Sequence, residues 1–435
     1  MAEVCPFRGI RYNQGIVGDL ATVICPPYDV ITLEQEKFYY KKSDYNAIRL
    51  ELPPVQPGDN DADNKYNRAA TTLQQWLGQG ILQIDDHPAF YLHDHYFDYL
   101  GKRSMRRGLI ARVKLEPWGS GIYPHEETTS GVKSDRLQLM RACRANFSPL
   151  FSLYQDSGQK IAPVLSEVAQ GRPIIEISVP SPLRGECWAE GKESHIVWAV
   201  TGAKSKQLSK FLSAQALYMA DGHHRYETAL DYRQERARGL PSVTGNEAFD
   251  YVMMELVEFS DPGLVILPLH RLVRGIAPSI LREAKNLLEN FFTLEFVPLA
   301  TERYQLADDS YLGVLGLAPE SLVLLKQRQG VSIDAMMPDN KSQAYREFGI
   351  SLLNHVILDK LLGGAKDLDI AYTVDIDEDW QRIKKGEYQL AFLPNSLQPG
   401  VVKAIVDAKD RMPRKSTYFY PKLPTGLIIN PTDQL

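Results

Sequence analysis

The run Asp221-Gly222-His223-His224-Arg225 places an acid, a glycine, two histidines and an arginine in five consecutive positions. Glycine allows a ligand to approach the backbone closely, and arginine offers a two-pronged donor for phosphate. The histidines can donate hydrogen bonds or exchange protons near neutral pH. Because neighbours on an extended chain point to opposite sides, we expect one of the two to face a ligand. The residue types therefore indicate phosphate binding.

The flanking residues predict the elements that would position this run. The apolar residues 217–219 precede it and predict a strand, and Tyr226 to Arg238 has the pattern of an amphipathic helix. A strand that enters a glycine turn at a helix start gathers unpaired backbone N–H groups around one point, as phosphate sites do. The alternative is that Asp221 only caps the helix and that the histidines lie on the surface.

A second polar stretch lies about a hundred residues earlier. His125 and Glu126 are candidate general bases, and residues 128–131 form a Thr-Thr-Ser-Gly loop before a helix predicted from Ser134 to about residue 144. At about 100° per residue, the four cations of this stretch span an arc of about 140°. The arrangement favours an anion-binding face, with a solvated basic face as the alternative; the cations are Lys133, Arg136, Arg141 and Arg144.

Two further segments have defined shapes. The prolines of Pro26-Pro27-Tyr28-Asp29 exclude a helix, so this loop could present Asp29 as a base or metal ligand, or form a buried turn. Residues 411–426 contain three prolines, three aromatic residues and four cations, which predict an ordered tail that packs across the protein body.

Other function classes are not supported. The chain has no GxxxxGK[ST] loop, dinucleotide fingerprint, HExxH helix or GxSxG elbow. His93 and His95 alternate on a predicted strand without a visible third ligand, so we expect no metal site. The net charge of −5 makes DNA an unexpected partner. No apolar run approaches the roughly 18 residues of a membrane span, and four widely spaced cysteines are typical of a cytoplasmic protein.

Helices and strands alternate irregularly along the 435 residues, which predicts an α+β (mixed α/β) fold. We expect helices over residues 33–41 and 63–77 and a strand over residues 46–52. The apolar strands end near Arg271–Pro278, so we expect a phosphate-binding region with an N-terminal elaboration over residues 1–272. A second α+β region with a tail strap would cover residues 273–435.

Nearly the whole chain resembles the bacterial and archaeal domain-of-unknown-function family 1015, whose name carries no activity. The resemblance depends on long strings that occur in order along the chain. They are Pro6-Phe7-Arg8-Gly9, Pro26-Pro27-Tyr28-Asp29-Val30, Asn146-Phe147-Ser148-Pro149, Ala220-Asp221-Gly222-His223-His224-Arg225-Tyr226-Glu227-Thr228-Ala229 and Lys415 to Gly426.

The Asp221–Arg225 run is also similar to the phosphate-binding signature of the ParB/sulfiredoxin-like superfamily. That superfamily includes partition proteins that bind CTP, sulfiredoxins that use ATP, and free serine kinases. His223 stands where sulfiredoxins have cysteine, so sulfinic acid reduction by this motif is excluded. The free serine kinases carry an Asp-Gly-His version, to which this chain is closer. The resemblance implies a ParB/sulfiredoxin-like nucleotide-binding core with insertions.

These observations predict a nucleotide-dependent phosphotransferase that acts on a small hydroxyl compound. ATP, ADP or CTP would be the nucleotide, with Mg²⁺ as a possible companion. Gly222, His223, His224 and Arg225 would hold the phosphates, and Asp221 or Asp29 would act as base or metal ligand. The alternatives are a nucleotide-binding regulatory protein without catalysis and a metal-assisted phosphoester hydrolase. The residues leave the oligomeric state open.

Overall fold

The chain forms two large β-sheets flanked by helices, so the prediction of an α+β protein is confirmed. The computed structural model describes residues 2–127, 133–180, 192–299, 312–364 and 368–433. The hydroxyl-rich loop predicted at residues 128–131 lies outside these ranges. For Lys133 the structure describes the backbone and not the side chain.

The strands of the described residues differ widely in length, and the longest is a central member of the first sheet. They are β1 (Val4–Cys5), β2 (Ile10–Tyr12), β3 (Leu82–Ile84), β4 (Phe90–Tyr99), β5 (Lys102–Lys114), β6 (Ile122–Pro124), β7 (Ala145–Asn146), β8 (Leu150–Tyr154), β9 (Ile175–Pro180), β10 (Lys192–Val200), β11 (Leu217–Asp221), β12 (Tyr251–Glu258), β13 (Val265–Leu267), β14 (His270–Arg274), β15 (Phe292–Pro298), β16 (Leu312–Leu315), β17 (Ser321–Gln327), β18 (Asp369–Thr373), β19 (Leu390–Pro394), β20 (Tyr418–Tyr420) and β21 (Asn430–Pro431).

The helices of the described residues include several single turns. They are α1 (Gln14–Val17), α2 (Leu33–Lys42), α3 (Ile48–Glu51), α4 (Lys65–Gly78), α5 (Lys133–Cys143), α6 (Ile161–Val168), α7 (Gly202–Leu212), α8 (His223–Arg238), α9 (Pro278–Glu289), α10 (Gln343–Arg346), α11 (Gly349–Leu352), α12 (Ile376–Lys384) and α13 (Pro399–Asp407). A π-helix, Leu353–Leu361, continues α11.

The first sheet has the strand order β6-β11-β8-β12-β5-β4-β10-β9, with β1 paired to β5. Successive residues of a strand face opposite sides. On β4, Phe90 and Leu92 pack with α6, α7 and α8 on one face, whereas Tyr91 packs with α4 and the N-terminal segment on the other. This sheet therefore lies between two helical layers, and both of its faces are buried.

The second sheet has the order β15-β17-β16-β19-β14-β18 and takes its strands from residues 270–394. Its core is mostly aliphatic and includes Val273, Val314 and Leu390. The division of the chain at residues 272 and 273 stays a prediction.

Local sequence signals explain the helix that follows the Pro26–Asp29 loop. The side chain of Thr32 accepts the N–H of Gln35, and the side-chain oxygen of Gln35 accepts the N–H of Thr32, so that both halves of a capping box are present at the start of α2. Glutamates occupy the first turn and lysines the last, as the helix dipole favours. The helices predicted over residues 33–41 and 63–77 are confirmed as α2 and α4.

The strand predicted over residues 46–52 is wrong, because this segment forms the helical turn α3. The buried side chain of Asn46 donates to the carbonyl oxygens of Thr22 and Ile24 and accepts from the N–H of Ile48. These contacts to a distant loop fix the chain in a turn, and the alternation of apolar residues could not reveal them.

The C-terminal tail contributes two short strands that pair with earlier parts of the chain. β20 pairs with β13, and β21 pairs with β7. Single bridges join Thr425 to Cys25 and Ile429 to Ile10. Tail residues therefore contact both the N-terminal loop and the strands around the Asp221 run. Within the described ranges, no helix has the length and apolar character needed to cross a membrane.

Candidate functional site

The Asp221 run forms the turn between β11 and α8, as the sequence predicts. Gly222 has φ +92°, a conformation that favours glycine. A Cβ atom at this position would lie 2.6 Å from Leu150 Cδ2 and 3.1 Å from Arg225 Nη2. Glycine is therefore required both by the backbone conformation and by the available space. The first N–H groups of α8 point out of the helix at this turn.

Asp221 is a fixed negative charge in this turn. Its Oδ1 accepts the N–H of Gly222 at 2.8 Å, and its Oδ2 accepts from Lys422 Nζ at 2.8 Å. Burial raises the pKa of Asp221, but the charges of Lys422 and Arg225 outweigh burial and hold the pKa well below its ordinary value. Asp221 therefore stays ionised at neutral pH and is a weak proton acceptor.

Arg225 extends from the first turn of α8 towards the loop before β8. Its Nη1 donates to Ser148 Oγ at 2.9 Å and to the Pro149 carbonyl oxygen at 3.2 Å. Both acceptors are uncharged, and within the described ranges Arg225 forms no ion pair. Its positive charge is therefore available to an anion.

Glu51, at the end of α3, is a functional candidate that the sequence did not reveal. Its side chain is 4% exposed. Ser148 Oγ lies 3.5 Å from Glu51 Oε1 and so links this carboxylate to Arg225. Burial raises the pKa of Glu51, and the nearby Arg136 and Arg225 offset only part of the rise. Of the carboxylates of Asp221 and Glu51, that of Glu51 is therefore the stronger proton acceptor.

Arg136 on α5 closes the other side of Glu51. Its Nη1 donates to the Glu51 carbonyl oxygen at 2.9 Å and lies 3.7 Å from Glu51 Oε1, while its Nη2 pairs with Asp135 at 2.6 Å. The guanidinium stacks on the ring of Tyr28 at 4.2 Å. Asp29, the exposed residue after Tyr28, is close enough for its charge to raise the pKa of Glu51. The structure therefore brings the Pro26–Asp29 loop to this site.

Two of the predicted cations, Arg141 on α5 and Arg144 just after it, do not converge on the Asp221 turn. Arg141 pairs with Glu235 of α8 at 2.5 Å, and Arg144 pairs with Asp433 at 2.7 Å. Their side chains are 43% and 56% exposed. Of the three arginines predicted to bind phosphate, Arg136 alone is buried beside Glu51, because it lies on the face of α5 that contacts the N-terminal segment.

His125, Glu126 and His223 form a second polar cluster with the tail. Glu126 accepts the N–H groups of Lys415, Ser416 and Thr417 at 2.9–3.1 Å. Burial raises the pKa of Glu126, but its contact with His125 and the surrounding donors lower it to about 2. Glu126 is therefore an ionised anchor for the tail.

The two histidines of the Asp221 run lie in different environments. His223 is buried, and its Nε2 accepts the N–H of His125 at 3.2 Å. Burial, followed by the neighbouring His125, lowers the pKa of His223 to about 3, so its imidazole is neutral at physiological pH. His224 is half-buried on the first turn of α8. The expectation assumed an extended chain, whereas both histidines lie in the first turn of α8, where successive residues are about 100° apart. That one of them faces a ligand stays a prediction.

The charged groups of the Asp221 turn pack closely against the tail. The cavity lined by Asp221, Arg225 and Lys422 has a volume of about 10 Å³, which is barely the space of one water molecule. Lys422 and Pro421 also line a second cavity of about 710 Å³, which extends to α2 and β10. The Lys422 side chain therefore lies between the closed site and the larger cavity.

The fold and this site define an α+β protein with a strand–glycine–helix turn surrounded by arginine, lysine and carboxylate groups. The chain belongs to the family described as "Protein of unknown function (DUF1015)", whose model matches residues 4–358. This confirms the family predicted from the sequence. No curated protein matches the chain.

Several solved structures are similar to this chain at low identity. A conserved hypothetical protein from Pyrococcus furiosus is 11% identical, with 73% of this chain and 93% of that chain covered and a TM-score of 0.33. A free serine kinase in complex with AMP is 10% identical, with coverages of 72% and 86% and a TM-score of 0.33. C-terminally truncated SbnI from Staphylococcus aureus is 10% identical, with coverages of 72% and 84% and a TM-score of 0.32. With all three TM-scores below 0.5, the function has to be derived from the site itself.

Proposed function

We propose that the protein is a nucleotide-dependent phosphotransferase that acts on a small hydroxyl compound, with the Asp221 turn as its phosphate site. The observation that carries the proposal is the position of Arg225. Its guanidinium lies beside the N-terminus of the sixteen-residue helix α8 and donates to uncharged oxygens. A helix N-terminus and a guanidinium together favour a phosphate group.

Glu51 is the proposed general base for the acceptor hydroxyl. A base works best when its pKa approaches the working pH. Burial raises the pKa of Glu51, whereas that of Asp221 is held low. Glu51 takes a proton from the hydroxyl, and the resulting oxygen attacks the terminal phosphorus while the bond to the leaving nucleotide breaks. Arg136 and Arg225 stabilise the negative charge of the transferred group.

Lys422 is the proposed movable cation of the site. In the structure Lys422 pairs with Asp221 at 2.8 Å and lines a cavity of about 10 Å³, which is too small for a phosphate group. When phosphate enters from the larger cavity, Lys422 pairs with it instead. Asp221 would then be the residue to hold Mg²⁺, a cation that is commonly bound by one or two carboxylates together with substrate phosphates. The carboxylate oxygens present fit that role.

The test is incubation of the protein with ATP, ADP or CTP, with and without Mg²⁺, and a panel of amino acids and sugars. Phosphorus NMR follows the products. A phosphorylated acceptor supports the proposal. Binding without turnover supports the regulatory alternative, and release of free phosphate alone supports the hydrolase.

Matched variants locate the site. Arg225→Ala should weaken nucleotide binding, and Arg141→Ala is the control because Arg141 lies in an exposed pair with Glu235. If Arg225→Ala and Arg141→Ala bind nucleotide equally well, the phosphate assignment is wrong.

A further inference from the structure

Three buried histidines meet on one face of the first sheet. His93 and His95 are two residues apart on β4, and His195 on β10 lies directly opposite His95. One ligand nitrogen from each ring lies within 4.8 Å of the other two. The third ligand that the sequence did not reveal is thus supplied by strand pairing across about a hundred residues.

Two carboxylates orient these rings. Glu255 Oε2 lies 3.0 Å from His93 Nδ1, and Glu193 Oε2 lies 2.9 Å from His95 Nε2. A Cβ atom on Gly108, which pairs with His93, would lie 2.3 Å from Glu255 Oε1. Gly108 therefore leaves the space through which Glu255 reaches His93. Metal-binding histidines commonly donate their second ring N–H to a carboxylate in this way.

We propose that His93, His95 and His195 bind a divalent transition-metal ion of the zinc type, with one coordination position open to the 710 Å³ cavity. Three imidazoles suit such an ion. His195 and Glu193 line the cavity, so the open position faces a space large enough for a small-molecule ligand. The site is separate from the Asp221 turn, and the proposal does not depend on phosphoryl transfer.

The competing arrangement is a chain of hydrogen bonds between the rings. His93 Nε2 lies 3.0 Å from His195 Nδ1, a distance at which one proton joins the two nitrogens. Arg106 Nη2 reaches His95 Nδ1 at 3.3 Å, but its shorter bonds go to the carbonyl oxygens of Tyr420 and Pro421. Metal binding would therefore replace two contacts. They are the hydrogen bond between His93 and His195 and the contact of Arg106 with His95, which is the longest of its three hydrogen bonds.

The test is metal analysis of the full-length protein after loading with Zn²⁺ and exhaustive dialysis. We expect about one ion per chain, and a content below about a tenth of an ion would overturn the proposal. His195→Gln should lose the ion. The exposed His87 provides the control His87→Gln, which should retain it. If His195→Gln retains Zn²⁺ like the wild type, the assignment is wrong.

A second measurement remains informative if His195→Gln does not fold. Loading the wild type with Co²⁺ should give the visible spectrum of a nitrogen-coordinated four-coordinate ion, and its absence would contradict the site. Glu255→Gln keeps the shape of the positioning residue and should weaken Zn²⁺ affinity by about 10- to 100-fold in competition with a chelator. Unchanged affinity would show that Glu255 does not orient a metal ligand.

Discussion

Replacement of Gly222 by alanine tests the geometry of the Asp221 turn most directly. Two costs add. An alanine at φ +92° occupies the left-handed region at a cost of about 1–2 kcal/mol. Its Cβ would lie 2.6 Å from Leu150 Cδ2, and relief of such overpacking costs about 1–3 kcal/mol. We therefore expect Gly222→Ala to lower the free energy of unfolding by about 2–5 kcal/mol.

Gly202 supplies a control that isolates the first cost. It begins α7, has φ +65°, and a Cβ atom there would meet nothing within 4 Å. Gly202→Ala should therefore cost only the backbone term of about 1–2 kcal/mol. The difference between the two variants measures the contact with Leu150 and Arg225, and not the general cost of a left-handed alanine.

The assay is urea unfolding followed by circular dichroism, with the slope of each curve compared so that a change in cooperativity is detected. Nucleotide affinity is measured in parallel. The methyl group would lie 3.1 Å from Arg225 Nη2, so Gly222→Ala should also weaken nucleotide binding, whereas Gly202→Ala should not. Equal stability and equal affinity of the two variants would refute the proposed role of the turn.

Three further predictions concern individual charges. Because burial raises the pKa of Glu51, the acid limb of the pH–rate profile should have its midpoint above the ordinary glutamate pKa. Glu51→Gln should abolish that limb and lower kcat by about 10²- to 10⁴-fold. An unchanged pH profile in the variant would exclude Glu51 as the base. The pKa of Glu126 is about 2 in the folded protein against 4.5 ordinarily, so its roughly 3 kcal/mol of stabilisation should be present above pH 4.5 and be lost as the pH falls towards 2. Acid unfolding of Glu126→Gln should lack this component, and identical acid curves for variant and wild type would contradict it. Arg141→Ala should cost under about 1 kcal/mol in thermal unfolding, because its pair with Glu235 is exposed; a larger loss would show that the pair has a structural role.

Local patterns predicted the parts of the site that are contiguous in the chain. The strand, the glycine turn and the helix around Asp221 are all present, because each signal lies within a few residues of the next. The helix α2 was predicted for the same reason. A short-range signal does not depend on which distant segment packs against it.

The groups that complete the site come from distant segments and could not be predicted. Glu51 lies in a turn that is fixed by hydrogen bonds from Asn46 to Thr22 and Ile24. Lys422 reaches Asp221 across 201 residues. Both contacts depend on tertiary packing between distant segments, and no periodic pattern in the sequence indicates which segments pack together.

The helical projection of α5 failed for a related reason. It placed four cations on one arc but could not show which part of that arc contacts protein. Arg136 turns to Glu51 and Tyr28, whereas Arg141 meets Glu235 of a neighbouring helix. A basic face therefore predicts a ligand only when the partners of each cation are known.

The tail segment before Leu423 links the proposed phosphate site to the histidine cluster. Arg106 holds the carbonyl oxygens of Tyr420 and Pro421 from the side of His95, and its guanidinium stacks on Phe151 at 4.9 Å. Phe151 pairs across the sheet with Asp221. The carboxylate of Asp221 in turn accepts a hydrogen bond from Lys422, the residue that follows Pro421 in the tail. A substitution in this segment therefore perturbs both sites at once. Loss of nucleotide affinity in a tail variant identifies a phosphate contact only when Zn²⁺ affinity is unchanged, since a shifted tail would alter both.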